Sequence, residues 1–224
     1  MQRDREVTGR LRIDAERNRS RIMQAAQADF ADRGLDVPLE DVADHAGVGI
    51  ATLYRRFPTR EDLISACFER RLEEYVRAVE EALETPNAWS GFCAYVERVC
   101  SMQAADRGFN DVLTRSFANS KKLEEHRARG YELSVRMIER AQAEGTLRAD
   151  FVPEDLVLLL MANAGVVHAA GRAAAGAWTR LVGLLLDGFR SEGASTLPPP
   201  PTPRQMIVAM QRLAGSNDDS RSNS

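Results

Sequence analysis

The chain has 224 residues, 44% of them hydrophobic, which is enough to bury a sizeable core and allows one large domain or two smaller ones. Its formal net charge of −3 gives no indication of nucleic-acid binding, but residues 1–60 contain 11 Arg against 10 acidic residues and are the more basic part. Three isolated cysteines without a CxxC pair exclude a disulfide framework, and the longest apolar run, at 156–162, is too short to cross a bilayer. We therefore expect a soluble protein of the cytoplasm without a membrane partner.

The composition predicts an all-α fold, because alanine, leucine, arginine and glutamate dominate and no alternating strand pattern is present. The first predicted element is a flexible arm over residues 1–14, which is polar and lacks apolar periodicity. Apolar residues then recur at helical spacing over residues 14–33, with Ile22 and Phe30 among them, and Gly34 ends this first helix.

Two short helices joined by a tight turn are predicted next. Pro38 suits the first position of helix two, whose inward residues would be Leu39, Val42, Ala43 and Ala46, and Gly47 permits the turn. Helix three is predicted over residues 50–56 and ends before Pro58, since the residue before a proline resists helical geometry. This succession is the layout of a helix-turn-helix, whose second helix lies in a DNA groove.

A long fourth helix is predicted to connect two domains. Thr59 and Asp62 resemble a capping box that opens it. Apolar spacing continues through residues 61–84, which corresponds to a helix somewhat over 30 Å long at about 1.5 Å per residue.

The rest of the chain is predicted to form further helices. They are expected at residues 88–104, 110–117, 121–143, 153–168, 177–191 and 204–213. Gly130 lies inside the predicted helix at 121–143 and marks a place where another element comes close. The predicted helix at 204–213 is amphipathic and is expected to pack back onto the rest of the domain. The predicted division is the arm (1–14), a helix-turn-helix DNA-binding domain (15–60), a larger helical domain (61–213) with its connector helix (61–84), and a disordered tail (214–224).

The start of helix three has the side chains that a DNA-reading helix needs. They are small or able to hydrogen bond, which lets the backbone approach a duplex closely. These residues are Ile50, Ala51, Thr52 and Tyr54. Arg55 on the exposed side and Arg60 in the first turn of helix four are expected to bind phosphates. The alternative is an ordinary helical hairpin in which Tyr54 and Arg55 are solvated surface residues.

Residues 43–63 resemble the DNA-binding domain of TetR-family transcriptional regulators. The family pattern IA..AGVS.GTLY.HF..KE.L appears in this chain as VA..AGVG.ATLY.RF..RE.L. Gly49 replaces the common serine and Ala51 the common glycine, so small size is retained at the start of helix three. The resemblance implies a three-helix DNA-binding domain followed by a larger helical domain for ligand binding and dimerisation.

By this resemblance, the DNA-contacting residues lie at the start of helix three and on either side of it. Thr52 and Tyr54 would contact the sugar-phosphate backbone, and Arg60 would replace a phosphate-binding lysine. The full predicted set is Gly49, Ile50, Ala51, Thr52, Tyr54, Arg55, Arg60 and Arg19. Arg19 is one of the seven Arg of residues 1–24 and is expected to contact a phosphate. The alternative for this segment is that its mixed charges are only solvated.

Residues 156–161 are hydrophobic on all sides, which predicts a helix covered on more than one face. The resemblance implies that the helices at 153–168 and 177–191 pair with those of a second copy in a four-helix interface. Such a homodimer would place two recognition helices about one DNA turn apart and read a palindromic operator in double-stranded DNA. The alternative is a monomer with one fully buried central helix.

The resemblance also implies a cavity for a small-molecule effector among the middle helices. The candidate lining residues are Phe92, Tyr95, Val99, Met102, Phe109, Phe117, Met137, Asn163 and His168. Asn163 and His168 are the expected polar anchors, since a buried polar group needs a partner. No metal or cofactor is expected, because the histidines are far apart in sequence, and Cys93 and Cys100 are about 10 Å apart along one helix, too far for a disulfide.

These features predict a transcriptional regulator and not an enzyme, since the sequence contains no catalytic triad, phosphate-binding loop or metal-ligand cluster. The leading hypothesis is a dimeric repressor that a small molecule releases from its operator. The alternative is a constitutive or activating DNA-binding regulator without an inducer. A helical enzyme with an incidental hairpin is the third hypothesis.

Overall fold

The computed structural model describes residues 2–114 and 120–215, with side chains described for residues 14–114, 120–210 and 212. Within these ranges the chain forms ten α-helices and no strand, apart from an isolated antiparallel bridge between Leu147 and Arg190. The helices are α1 (Gln2–Arg33), α2 (Leu39–His45), α3 (Ile50–Arg56), α4 (Arg60–Glu84), α5 (Ala88–Ala105), α6 (Arg107–Thr114), α7 (Lys121–Ala143), α8 (Pro153–Ala170), α9 (Ala177–Phe189) and α10 (Pro203–Gly215). The predicted all-α fold is confirmed.

The segment expected to be a flexible arm is instead the first part of helix α1, which begins at Gln2. The prediction at 1–14 relied on the absence of an apolar pattern, but such a pattern marks a buried helix face and is not needed for a helix to form. Opposite charges four residues apart, such as Glu6 and Arg10, favour the helix, and no proline occurs before Arg33.

Helices α1, α2 and α3 form a small unit around one set of buried side chains, which includes Ile22, Phe30, Val42 and Leu53. Gly34 ends α1 with φ 81° and Gly47 makes the turn between α2 and α3 with φ 62°, conformations that L-residues rarely adopt. Helix α3 has the predicted bounds, and we call the unit of α1 to α3 the DNA-binding head.

Helix α4 leads from the head into the larger domain, where it packs along α5 and α7. Its predicted capping box is confirmed: Thr59 Oγ1 accepts a hydrogen bond from the Asp62 N–H at 3.1 Å, and the Asp62 carboxylate accepts one from the Thr59 N–H at 3.1 Å. At the other end, Arg140 of α7 donates to the Leu83 carbonyl at 2.6 Å. Both ends of the connector are therefore satisfied by side chains.

Arg148 joins the loop after α7 to the segment that follows α9. Its buried guanidinium donates to the Asp150 carboxylate at 2.5 and 2.9 Å, to the Gly188 carbonyl at 3.3 Å and to the Ser195 carbonyl at 2.6 Å. A buried arginine with this many partners positions α9 against the loop that begins α8.

Helices α8 and α9 pack against each other and against α5, but each leaves apolar residues uncovered. Leu156 and Leu159 of α8 are buried, whereas Leu158 is 42% exposed and Leu184 of α9 is 57% exposed. The alternative of one fully buried central helix is therefore wrong for α8.

Helix α10 lies against α8 and buries Met206 and Met210, so the predicted amphipathic helix near the C-terminus is confirmed. The predicted disordered tail lies, from residue 216 onward, outside the described residues. None of the helices described here is both long and apolar enough to span a membrane.

Candidate DNA interface and ligand cavity

Helix α3 is anchored on one side and open on the other. Leu53 and the following Phe57 are buried, and Ile50 is half-buried against the same core. The opposite side presents Ala51 and Tyr54, the latter 46% exposed. The predicted leading edge is thus directed to solvent.

The approach to this edge is free of bulk. Gly49 caps α3 in an extended conformation (φ −71°, ψ 146°), and a Cβ placed on it would meet no atom within 4 Å. Thr52 is half-buried one turn into the helix, with its N–H bonded to the Gly49 carbonyl at 2.8 Å. Small residues at this end let another molecule come close to the backbone.

Two arginines at the end of α3 are exposed. Arg55 and Arg56 form no ion pair within the described part of the chain. The printed ion pairs of the head lie elsewhere: Asp41 binds Arg33 at 2.8 Å and Asp29 lies 3.0 Å from the His45 ring. The two exposed arginines therefore add positive charge at this end of α3.

Arg19, the predicted phosphate ligand of α1, is half-buried against α3. Its guanidinium carbon lies 5.1 Å from the centre of the Phe57 ring, and its Nη1 donates to the Met23 sulfur at 2.9 Å. Two residues further along α1, Arg21 donates to the Gly47 carbonyl at 3.0 Å. Both arginines hold α1 to the helix-turn-helix, and that packing is a role the sequence did not indicate for Arg19.

The structure shows a further role for Arg60 besides the predicted phosphate contact. Its Nη1 donates to the Leu35 carbonyl at 2.8 Å and to the Val37 carbonyl at 2.7 Å, in the loop between α1 and α2. Charge-assisted hydrogen bonds of this kind are among the stronger ones in proteins. Arg60 therefore holds this loop to the start of α4, and its contact with DNA stays a prediction.

The same loop is held from the other side by the larger domain. The Leu35 N–H donates to Asp111 Oδ2 of α6 at 2.9 Å, in a buried position. Both backbone polar groups of Leu35 are thus bound by side chains, the N–H by Asp111 and the carbonyl by Arg60. We call this arrangement the Leu35 clamp, and it links α6 directly to the DNA-binding head.

A cavity of about 430 Å³ lies within the larger domain, between α4, α5, α6, α7, α8 and α10. Its walls are mainly apolar and include Leu113, Leu156, Leu160, Met206 and Met210. Its polar side chains include Tyr75, Tyr95, Arg127, Ser134 and Glu154. We call this space the α10 cavity, and its size and lining suit a small molecule.

The residues predicted to line a ligand cavity do not form one wall, and only Tyr95 among those described borders the α10 cavity. Phe92 instead packs edge-on against Phe151 and Phe189, at ring-centre distances of 5.6 and 6.4 Å. Four others are buried in the core and do not line the α10 cavity: Val99, Met102, Phe109 and Met137. Phe117 lies outside the described residues.

The two predicted polar anchors lie apart from the α10 cavity. His168 is exposed and lines a second cavity of about 500 Å³ with residues of α5, α6 and α8. Asn163 is buried, and its Nδ2 donates to Gln103 Oε1 at 2.9 Å and to the Cys100 carbonyl at 3.3 Å. Asn163 therefore joins α8 to α5 through its amide nitrogen, whereas its buried Oδ1 has no hydrogen-bond partner within the described part of the chain.

Several lining residues of the α10 cavity were missed by the sequence interpretation, above all Tyr75 and Arg127. The signal that could have found Tyr75 is Gly130, in the middle of α7. A Cβ at Gly130 would collide with the Tyr75 ring, so the glycine lets this ring lie on the helix backbone. An unexplained glycine inside a helix indicates such a close approach.

The cysteines are poor candidates for redox chemistry. Burial raises the pKa of Cys67 and of Cys100 to about 12, and that of Cys93 to about 11, so the reactive thiolate is scarce at neutral pH. No group of three or more metal-ligating side chains is found within the described ranges.

Two family profiles match the chain in succession. The profile described as "Bacterial regulatory proteins, tetR family" matches residues 22–67, which cover most of the DNA-binding head and the start of α4. The profile described as "Transcriptional regulator SbtR-like, C-terminal domain" matches residues 87–191, from the start of α5 to the end of α9.

Similar proteins are known in sequence and in structure. The transcriptional activator FasR of Mycolicibacterium smegmatis is 32% identical over 75 residues, and the match spans about a third of either chain (33% of this one, 34% of FasR). The TetR transcriptional regulator SCO0520 from Streptomyces coelicolor, whose crystal structure is known, has 31% sequence identity to this chain. The two structures match with a TM-score of 0.50 over 78% of this chain and 99% of SCO0520. The ketosteroid transcriptional regulator KstR2 of Mycobacterium tuberculosis shares the fold at 18% identity, with a TM-score of 0.56, over 78% of this chain and 95% of its own.

Proposed function

Because the chain belongs to the TetR family of bacterial transcriptional regulators, we propose that it is a dimeric repressor that a small-molecule effector releases from a palindromic operator. The family consists of regulators and not of enzymes, and the helix-turn-helix is its DNA-binding element. The observation that best supports the proposed DNA contacts is the open, small-residue edge of α3 beside two exposed arginines. A regulator of bacterial DNA acts in the cytoplasm.

The proposed contacts divide into those that position the head and those that read sequence. Thr52 and Tyr54 offer hydroxyl groups to phosphates, and Arg55 offers a charge. Ile50 and Ala51 lie at the start of α3, where a recognition helix meets base edges. Arg60 and Arg19 support this surface through the loop and helix packing described above.

Arg55→Ala should weaken binding to all DNA duplexes alike. We expect the plot of log affinity against log salt concentration to lose about one unit of slope, because one phosphate contact is removed. The measurement is fluorescence anisotropy over a salt series, with a duplex selected from a random pool and a scrambled duplex of equal length. Arg136→Ala, which removes an exposed arginine of α7, is the matched control and should leave the slope unchanged. Equal slopes for both variants would remove Arg55 from the interface.

Dimerisation is supported by the apolar surface of α8 and α9. Leu158 and Leu184 are exposed, and a Cβ added at Gly165, Gly183 or Gly188 would meet no neighbouring atom within 4 Å. Open glycines beside exposed leucines allow two helices to approach closely, and an apolar helix face is usually covered. A second copy of α8 and α9 about a two-fold axis would cover it.

Release by an effector requires that the larger domain change the position of the head, and the Leu35 clamp is the proposed link. Helix α6 packs against both α1 and α8, so a shift of the sensing helices reaches the head through Asp111. The factor by which the effector lowers DNA affinity can be no larger than the ratio of its affinities for the released and the DNA-binding conformations.

Asp111→Ala should uncouple the head from α6. In the unmodified protein, operator binding is expected to slow hydrogen exchange at the amides of Arg107–Thr114, because the clamp transmits the ordering of the head. In Asp111→Ala this slowing should be absent, whereas Asp111→Asn, which keeps an accepting oxygen, should retain it. Exchange measured by mass spectrometry with and without operator checks this. The same protection of α6 in all three proteins would exclude the clamp as the link.

Activation is the second candidate for the sign of regulation. FasR, which is 32% identical to this chain over 75 residues, is a transcriptional activator. A promoter–reporter fusion with the gene for this protein present or deleted separates the two: repression predicts higher reporter output after deletion, and activation predicts lower output.

A further inference from the structure

Glu154 places a buried carboxylate at the α10 cavity. It lies in the first turn of α8, it is only 9% exposed, and its side chain borders the cavity. No residue of the ranges that the structure describes forms a hydrogen bond or an ion pair with it. Buried carboxylates in proteins are usually paired, because burying a charge without a partner is costly. The protein itself therefore leaves Glu154 without a cation.

The start of α8 favours a negative charge at this position. Pro153 is the first residue of the helix and Glu154 the second, so the carboxylate lies at the positive end of the helix dipole. Its charge extends to Tyr131 on α7: burial, and then the charge of Glu154, raise the pKa of the Tyr131 hydroxyl. A helix end supplies only partial positive charges, so a full cation beside Glu154 would compensate it better.

The other two charged side chains at the α10 cavity offset each other. Arg127 and Glu124, both on α7, form an ion pair with 3.8 Å between Arg127 Nη1 and the Glu124 carboxylate. Over the described residues that border the cavity, the charges thus add up to the single negative charge of Glu154. A cation that enters this space is attracted and an anion is repelled.

Aromatic rings and an apolar wall complete the α10 cavity. Three tyrosines border it, and aromatic rings attract cations through the negative charge of their faces. These are Tyr75, Tyr95 and Tyr131. Helix α10, which lies beyond both family profiles, adds the buried Met206 and Met210, and methionines adapt readily to different apolar shapes. The cavity therefore combines one uncompensated carboxylate with surfaces that suit a cation and a hydrocarbon chain.

We propose that the α10 cavity binds an amphipathic amine, with its ammonium group at Glu154 and its hydrocarbon body along α8 and α10. An ammonium group donates hydrogen bonds to a carboxylate, and such charge-assisted bonds are among the stronger ones in proteins. The apolar lining and the volume of about 430 Å³ suit a hydrocarbon body of medium length. This inference rests on the proposed function only in identifying the amine as the effector.

The test compares decylamine, decan-1-ol and decanoate by isothermal titration calorimetry on the full-length protein at neutral pH, below the micelle-forming concentrations. Decylamine carries a positive charge at this pH, as a lysine side chain does, and decanoate carries a negative one. We expect decylamine to bind at least about tenfold more tightly than the alcohol, and decanoate to bind more weakly than the alcohol. Equal binding of amine and alcohol, no binding of the amine, or decanoate bound as tightly as decylamine would overturn the proposal.

Glu154→Gln tests the carboxylate, because it removes the charge and keeps the size of the side chain. This variant should lose the preference for the amine without binding the alcohol more weakly, and the unchanged alcohol affinity shows that the cavity is intact. Glu139→Gln, which removes an exposed glutamate of α7, is the matched control and should change neither affinity. An undiminished preference for the amine in Glu154→Gln, or an equal loss in Glu139→Gln, would contradict the proposal.

A further pair of variants addresses the cavity itself. Met206→Trp adds bulk on the α10 side and should abolish binding of both the amine and the alcohol, with circular dichroism as the control for folding. Met206→Leu keeps a side chain of similar size and should bind both compounds. Native affinity for the amine in Met206→Trp would place the site elsewhere and contradict the proposal.

DNA binding is measured separately, so the two proposals can fail independently. If decylamine binds as expected and the operator affinity does not change, the amine site is supported and the effector response fails. If the operator is bound tightly and decylamine shows none of the expected preferences, the amine site fails and the DNA-binding function is unaffected.

Discussion

Leu184→Arg is expected to convert the proposed dimer to monomers and to weaken operator binding by about 10²- to 10⁴-fold. Leu184 is 57% exposed on α9, between the open Gly183 and Gly188. In a two-fold interface the same residue occurs on both sides, so one substitution introduces two like charges into an apolar contact. The loss in affinity follows because the second head no longer binds as part of the same molecule.

Sedimentation velocity gives the oligomeric state of this variant, and anisotropy with a palindromic duplex and a half-site duplex gives the affinities. The monomer should bind the half-site as well as one native head does. Leu197→Arg makes the same change at a leucine that is 50% exposed but lies outside α8 and α9, and it should remain dimeric. A Leu184→Arg protein that stays dimeric, or a monomer with undiminished affinity for the palindrome, would contradict the proposed interface.

Arg60→Met is expected to lower the free energy of unfolding of the protein by about 2–4 kcal/mol. Methionine keeps an apolar stem of similar length but removes the donors that bind the Leu35 and Val37 carbonyls at 2.8 and 2.7 Å. These carbonyls lie in a partly buried loop, where leaving an acceptor without a partner is costly. Urea unfolding followed by circular dichroism measures the change.

Arg56→Met is the control for the loss of one charge at the head. Arg56 is exposed at the end of α3, and its substitution should change the unfolding free energy by no more than about 0.5 kcal/mol. Arg60→Lys should fall between the two, since an ammonium group retains charge but not the forked geometry. Arg60→Met could instead unfold at the same urea concentration as the unmodified protein and lose one unit of slope in the plot of log DNA affinity against log salt concentration. In that case the main role of Arg60 is the phosphate contact first predicted from the sequence.

Elements with local signals were predicted closely. Helix α3 has the bounds expected from Gly49 and Pro58, and α4 begins with the capping box expected at Thr59 and Asp62. These signals act between residues a few positions apart, so they can be recognised without the fold. The failure at residues 1–14 has the same origin, because a helix favoured by spaced charges shows no apolar pattern to detect.

The sequence by itself determined the fold class, the DNA-binding element and the family, because these depend on short-range spacing and on a motif of closely placed residues. Only the tertiary structure decided which buried residues border a cavity and which fill the core. It likewise decided that Arg60 donates to the Leu35 carbonyl. Helical periodicity identifies the inner face of each helix, but a contact such as that between Asp111 and Leu35 joins residues 76 positions apart. The packing of whole helices brings such pairs together, and no local pattern encodes it.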